Sequence, residues 1–311
     1  DADPARRLVI APGDEIVVTR AEHHANLVPW QELAARTGAS LRWLDLTEDG
    51  RIDPTTVRVI TERTRLLGLT HASNVTGAIT PLVDILPAAR AVGALVVLDT
   101  CQSAAHLPLD FAALHAAGVD AMVLSSHKML GPTGIGALVA AEELLEAMPP
   151  VLTGGSMIEV VRMESSTYMS GPARFEAGSQ PLAQAAGWRT AVDYLSGLGM
   201  DRLHAGELDL MQRVLDGLAA LDGVRVLGPA DTRERLGVVA FTVDGVHPHD
   251  VGQVLDASGV AVRTGHHCAQ PIHAHFSVSS SARVSFGVTT TAGEVDRFLE
   301  AAAGVRAYFQ R

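Results

Sequence analysis

Lysine is nearly absent from this chain of 311 residues: of its 24 Lys and Arg side chains only one, Lys128, is a lysine. Aromatic residues make up 4%, there are two cysteines, Cys101 and Cys268, and acidic residues exceed basic ones to a formal net charge of −11. Each shortage excludes something. Two cysteines cannot build a disulfide framework and suit a reducing cytosol. The absence of a basic patch with interleaved aromatics argues against nucleic acid as a partner. No apolar run is long enough to span a bilayer and no signal-peptide pattern stands out, so no membrane role and a cytoplasmic location are expected. What remains, 47% hydrophobic residues over 311 positions, can bury a large core and is long enough for two domains.

The lone lysine stands in Ser125-Ser126-His127-Lys128, just before the glycine-rich Gly131-Pro132-Thr133-Gly134. Arginine cannot replace lysine where a Schiff base is needed, because only the amine loses a proton and attacks a carbonyl. Upstream, the run Ala94-Leu95-Val96-Val97-Leu98 ends in Asp99-Thr100-Cys101-Gln102, and Ala121-Met122-Val123-Leu124 delivers Ser125 to Lys128. Both runs read as buried parallel strands, whose C-terminal ends are where open α/β sheets bind ligands. An acid and an amine at neighbouring strand ends suit pyridoxal 5'-phosphate, whose aldehyde takes the lysine and whose ring nitrogen needs an acidic partner. Ser125 and His127 are candidate phosphate donors, and Gln102 can reach the ring hydroxyl. Asp99 has a plainer reading as a helix cap after a strand.

Further runs at Glu15–Val18, Leu41–Leu44, Leu66–Leu69 and Gly136–Val139 also read as strands, with helical patterns around Gln31–Arg36 and Pro87–Val92. Alternation of this kind predicts an α/β fold with a mainly parallel sheet covered on both faces. An Ala-rich helix over Leu182–Leu195 leads to a second unit with strands near Val224–Val226 and Val238–Val243 and a closing helix from about Glu294 to Tyr308. The expected division is a large domain, 1–185, and a smaller C-terminal domain, 186–311.

Near the C-terminus, Arg263-Thr264-Gly265-His266-His267-Cys268-Ala269-Gln270-Pro271 resembles the active-site loop of Suf-type (group II) cysteine desulfurases. These are close relatives of selenocysteine lyases among the class-V aminotransferase-like enzymes. The resemblance runs along the chain through Glu22-His23-His24-Ala25-Asn26, His71-Ala72-Ser73-Asn74, the Asp99 and Lys128 segments, Arg174-Phe175-Glu176-Ala177-Gly178 and Ser281-Ala282-Arg283. It implies fold type I of the PLP-dependent transferases: a large domain around a mainly parallel seven-stranded sheet, plus a smaller α+β domain carrying the cysteine loop.

Site roles follow from the resemblance. His23 would stack on the cofactor ring, Asn74 and Gln102 would bond its hydroxyl region, and Asp99 would hold the pyridinium. Lys128 would bind the cofactor covalently and act as general base, with Ser125 and His127 on the phosphate. Ser179, where the family commonly has threonine, would reach the phosphate of the other subunit's site in a homodimer. Arg283 would clamp the substrate carboxylate and Arg263 would order the loop. Cys268 would take sulfur from L-cysteine as a persulfide, leaving L-alanine and passing the sulfur to an acceptor protein of the SufE or SufU kind for Fe–S cluster or other sulfur-compound synthesis.

Other readings stand beside these. A selenocysteine lyase or a specialised carbon–sulfur lyase would use the same cofactor, whereas a non-catalytic sulfur carrier or a metal-binding module would not. His266, His267, Cys268, His273 and His275 offer imidazole and thiolate to zinc, but without a zinc-finger spacing or a second cysteine pair. His23 and His24 can merely flank a helix start, Arg283 can be an exposed charge, and Cys101 is expected to be a small buried hydrophobe without a catalytic role. The chain opens at Asp1-Ala2-Asp3-Pro4 without methionine, and Ala11-Pro12-Gly13-Asp14 already resembles a family segment well inside the large domain. A longer natural protein is therefore expected, with upstream helices and a Gly-Thr-rich phosphate turn. Ser156, Gln180-Pro181, Thr289-Thr290 and Asn74-Val75-Thr76-Gly77 depart from the family pattern around the entrance and interface, not in the core chemistry.

Overall fold

The computed structural model describes residues 8–309, so the opening Asp1-Ala2-Asp3-Pro4 lies outside the described residues. The six apolar runs become β1 (Glu15–Thr19), β2 (Ser40–Leu44), β3 (Thr64–Thr70), β4 (Leu95–Asp99), β5 (Ala121–Ser125) and β6 (Gly136–Ala140). They form one sheet in the order β2-β1-β3-β4-β5-β6, parallel except for β6, which runs antiparallel to β5. The sheet thus has six strands among the described residues, not the seven implied by the family resemblance. Each corresponds to one apolar run, and no described segment pairs with the outer edge of β6. β1 is buried at every position and β3 at all but Arg65, as strands covered on both faces must be.

Helices α1 (Val28–Thr37), α2 (Leu82–Val92), α3 (Phe111–Ala117) and α4 (Glu142–Ala147) alternate with these strands. α2 turns Ile85, Leu86 and Ala89 into the core, each large side chain contributing about 1.5–3 kcal/mol by burial. It stops at Gly93, whose φ of 69° is the left-handed conformation that lets the chain turn back toward β4. α3 starts at Asp110, whose carboxylate accepts the N–H groups of Ala112 and Ala113.

A hairpin of β7 (Ile158–Val161) and β8 (Ser166–Tyr168) follows, then a 3-10 turn over Gly171–Phe175. Arg174 pins that turn by donating to the carbonyls of Glu146, Met148 and Met169 and pairing with the Glu146 carboxylate. α5 (Leu182–Leu198) runs through positions 185 and 186 and leads to α6 (Met200–Ala219). No sequence pattern above was assigned to α6, although Glu207, Met211, Val214, Leu215 and Leu218 lie buried along one face at helical spacing.

The second sheet is antiparallel, in the order β11-β12-β10-β9, built from β9 (Val224–Leu227), β10 (Val238–Val243), β11 (Arg263–Gly265) and β12 (Ser281–Ser285). α7 (Pro248–Ala257), α8 (Gln270–His275) and α9 (Ala292–Phe309) complete it, and Phe241, Phe298, Met211 and Leu218 centre its core. A seam joins the two sheets. The fully buried Arg235 donates through Nε to the Thr76 carbonyl at 2.7 Å and through Nη1 to the Pro229 carbonyl, while Leu236 N–H bonds Gly77 O at 2.8 Å.

Candidate active site

β3, β4 and β5 all end at one edge, and their registers align Thr70 with Asp99 and Asp99 with Val123, two residues before Ser125. Asp99, nearly buried, accepts the Cys101 N–H at 2.9 Å and so braces the turn after its strand, while the short helix that follows begins at Ser103 with no cap from Asp99, unlike the plainer reading. Lys128 ends the 3-10 turn that follows β5. The chain folds back tightly here: a side chain at Gly131 would collide with Ser126 Oγ, which is buried without a hydrogen-bond partner. His127 is exposed, Ser125 Oγ lies 3.4 Å from Cys101 Sγ, and Gln102 sits half-buried in the turn beyond Asp99.

His23 comes to the same edge. Burial, and next the charge of Lys128, pull its imidazole below the usual histidine range, with Asp99 opposing; all three therefore share one electrostatic neighbourhood. His23 also N-caps a 3-10 turn, its Nδ1 accepting the Ala25 N–H at 3.1 Å, in keeping with a helix-start role. Beneath it is Glu22, fully buried. Its Oε1 accepts from Thr19 Oγ1 at 2.7 Å and Thr70 N–H at 2.8 Å, and its Oε2 from Asn26 Nδ2 at 2.6 Å. Burial lifts its carboxyl to about 8, against these hydrogen bonds and with the nearby Asp99 adding to the rise.

The loop between β11 and α8 brings in the cysteine. His267 and Cys268 have φ of 52° and 56°, a left-handed pair rare for residues with side chains and maintained only where neighbours hold it. The neighbours are identifiable. Cys268 O accepts the His24 N–H at 2.7 Å, Gln270 N–H donates to His24 Nε2 at 3.1 Å, and Asn74 Nδ2 donates to His267 O at 2.5 Å. One amide N–H of Asn74 is thus committed to this loop. Arg263 Nη2 stands 3.8 Å from Cys268 Sγ, a guanidinium beside the sulfur.

Arg283 is largely buried on β12, not an exposed charge. Its Nη1 donates to Asn74 O at 2.9 Å while its Nε has no partner. Burial and the charge of Arg263 pull it down to about 10, which leaves it cationic at neutral pH with a free donor for a carboxylate. The histidines around Cys268 are spoken for. His273 Nδ1 bonds Ala269 O at 2.9 Å, and Ser281 Oγ lies 3.0 Å from both His273 Nε2 and His267 Nε2. A neutral His273 that donates at Nδ1 must accept from the Ser281 hydroxyl, so His267 donates to Ser281 through Nε2 and its buried Nδ1 is an unpaired acceptor. Burial drives His267 down to about 3, so it stays neutral. His275 Nε2 instead meets Thr47 O at 3.0 Å, and no group of three His, Cys, Asp or Glu converges as a metal site among the described residues.

Ser179 is exposed in the loop before α5, and no intrachain contact draws it to this edge. Cys101 departs from expectation: it is half-buried among Asp99, Ser125 and Lys128, not in an apolar core, and burial followed by the Asp99 charge raises its thiol to about 11. Glu22 and the capping contact of His24 had no sequence-derived role, because Thr70 and Gln270, which they meet, lie 48 and 246 positions away. A separate cavity of about 820 Å³, lined by His71, Leu109, Asp110, His204 and Arg233 among others, contains none of the predicted site residues.

With this geometry in view, comparison with known proteins is decisive. The model of the family described as Aminotransferase class-V matches residues 4–298. The chain belongs to that family. It is 51% identical to a probable cysteine desulfurase 2 of Mycobacterium leprae, over 96% of this chain and 71% of the relative. The structure of the cysteine desulfurase CsdA of Escherichia coli superposes with a TM-score of 0.92 at 36% identity, covering 98% of this chain and 75% of that one. A C-DES variant whose structure holds glycine covalently linked to the PLP cofactor gives a TM-score of 0.81 at 25% identity, over 96% and 78%. Pyridoxal phosphate is the cofactor of this class-V fold, and the donor set fits it. One amine, one nearly buried carboxylate and the orphaned Ser126 hydroxyl meet where the parallel strands end.

Proposed function

We propose that the protein is a cysteine desulfurase that moves sulfur from L-cysteine onto Cys268 and releases L-alanine. The observation that carries this reading is the meeting at His23-His24: His23 shares the electrostatic neighbourhood of Lys128 and Asp99, and His24 is hydrogen-bonded to Cys268. Pyridoxal phosphate, when bound, supplies an electron sink for bond changes at the amino-acid substrate. Lys128 would hold it and would move the substrate Cα proton as general base, Asp99 would hold its ring nitrogen, His23 would lie against its ring, and Ser125 and His127 would bind its phosphate. Gln102 and Asn74 would serve its ring hydroxyl region. Arg283 takes the substrate carboxylate with the Nε that has no protein partner. Arg263 offers the attacking thiolate of Cys268 a cationic neighbour. A sulfur–sulfur bond forms as the carbon–sulfur bond breaks, and the electron pair remains on the carbon fragment, which is protonated to alanine.

The division into a cofactor-binding unit, 1–185, and a smaller unit, 186–311, belongs to the same proposal, as do a cytosolic setting and an acceptor protein of the SufE or SufU kind. A homodimer in which Ser179 completes the partner's phosphate site is supported by exposed apolar side chains in the surrounding stretch, among them Val151, Leu152, Met163, Leu182 and Tyr194. No helix among the described residues is long and apolar enough to cross a membrane.

The test is to supply the protein with pyridoxal phosphate and L-cysteine and to quantify alanine and Cys268-bound persulfide in wild type and Lys128→Ala. Equimolar products are expected from the wild type, with loss of borohydride-sensitive absorbance and at least about a 10³-fold drop in turnover for the variant. Products without a persulfide would favour a carbon–sulfur or selenocysteine lyase. In sedimentation the active species should be a dimer, and a fully active monomer would remove the role given to Ser179.

A further inference from the structure

We propose that His24 is a positioning residue for the sulfur-accepting step: its imidazole caps α8 and so holds Cys268 over the edge that carries Lys128. The proposal rests on the desulfurase reading for its chemistry but on hydrogen-bond geometry for its placement. The first N–H groups of a helix have no intrahelical acceptor and need one from elsewhere. α8 finds none at its own start, where Ala269 has no side chain able to cap. Gln270 N–H instead donates to His24 Nε2 at 3.1 Å, from a residue 246 positions away. The His24 main-chain N–H also donates to the carbonyl of Cys268 itself, at 2.7 Å.

One residue of the large unit therefore grips the chain at Cys268 and again two residues later. The left-handed conformations at His267 and Cys268 lie inside or beside this grip and need such a restraint to persist. Accepting at Nε2 fixes the imidazole proton on Nδ1. His24 is itself held from below, because Glu22 binds Asn26 at 2.6 Å and Asn26 accepts from Trp30 Nε1 at 3.0 Å, tying the 3-10 turn to β1, β3 and α1. Asp99 and Lys128 make no part of this set, so the grip acts on sulfur acceptance separately from cofactor binding.

The experiment compares wild type, His24→Ala and His24→Gln as full chains. Gln is chosen because its Oε1 extends an acceptor about as far as Nε2. Amide hydrogen exchange over residues 266–271, read without substrate, should be about tenfold faster in His24→Ala and return toward wild type in His24→Gln. With pyridoxal phosphate bound, the visible absorbance should match wild type in both variants. Persulfide formation on Cys268 should slow about tenfold in His24→Ala with KM for cysteine within about twofold, and His24→Gln should recover most of it. Unchanged exchange and persulfide rate in His24→Ala, parallel loss of the cofactor absorbance, or failure of His24→Gln to restore either readout would each overturn the proposal. A wild type that forms no persulfide while His24→Ala still shows accelerated exchange would defeat the desulfurase reading and uphold the grip.

Discussion

The two cysteines are both free and half-buried, and they differ in what surrounds them. Cys101 follows β4, its N–H tied to Asp99 and its sulfur facing Ser125 Oγ and the Val123 carbonyl. Burial and the Asp99 carboxylate lift it to about 11, so it stays a thiol. Cys268 sits on a left-handed loop beside the Arg263 guanidinium, its carbonyl bonded to the His24 N–H and Gln270 two residues on bonded to the His24 ring. One residue type thus occupies two settings, a thiol facing a carboxylate and a thiol facing a guanidinium, and in the proposed function that contrast assigns sulfur acceptance to Cys268.

Substitution gives the largest contrast. Cys268→Ala should lower sulfur transfer from cysteine by about 10²-fold or more while retaining cofactor absorbance, whereas Cys101→Ala should stay within about twofold of wild type. Selenocysteine, whose selenium is the better leaving group, should keep a larger share of its rate in Cys268→Ala. A persulfide mapping to Cys101, or alanine released from cysteine at the wild-type rate by Cys268→Ala, would reverse the comparison. Alkylation sharpens it without turnover. Burial and the Asp99 charge keep Cys101 protonated near pH 8, so iodoacetamide should label Cys268 the faster of the two, as peptide mass spectrometry would show.

The smallest effect is on stability. Each cysteine region contains a buried neutral histidine: His71, bonded to Ser103 Oγ in the turn after β4, is pulled to about 4, and His267 to about 3, in both cases mainly by burial. Below the ordinary histidine value of about 6.5 the unfolded chain binds protons that the folded chain refuses. The stabilisation is therefore complete above that pH and is lost as the pH falls toward 4 for His71 and 3 for His267, at about 1 kcal/mol per pH unit for each group. Urea midpoints at about pH 7 and 5.5 would measure it, and an unmoved midpoint would contradict the burial of both rings.

Much of this arrangement was legible in the chain. The parallel strands could be read because burial on both faces makes them continuous apolar runs, and Asp99 and Lys128 could be placed because such runs end on a shared edge. α6 escaped notice although Met211, Val214, Leu215 and Leu218 repeat at helical spacing, since charged residues separate them. Among the described residues the six strands of the large sheet are the six that the local patterns supported. Roles that depend on distant pairing could not be read. The Glu22 contact with Thr70 spans 48 positions and the His24 contact with Gln270 spans 246, and no local pattern encodes either.

The seam around Arg235 has a consequence for assembly. Arg235 holds Thr76, two residues beyond Asn74, while Asn74 holds both His267 and Arg283. The small sheet must dock before Cys268 and Arg283 take their places, so the seam works as an interlock. A chain folded in only one half would have its lysine edge formed while the loop of Cys268 lacked the contacts that hold it there.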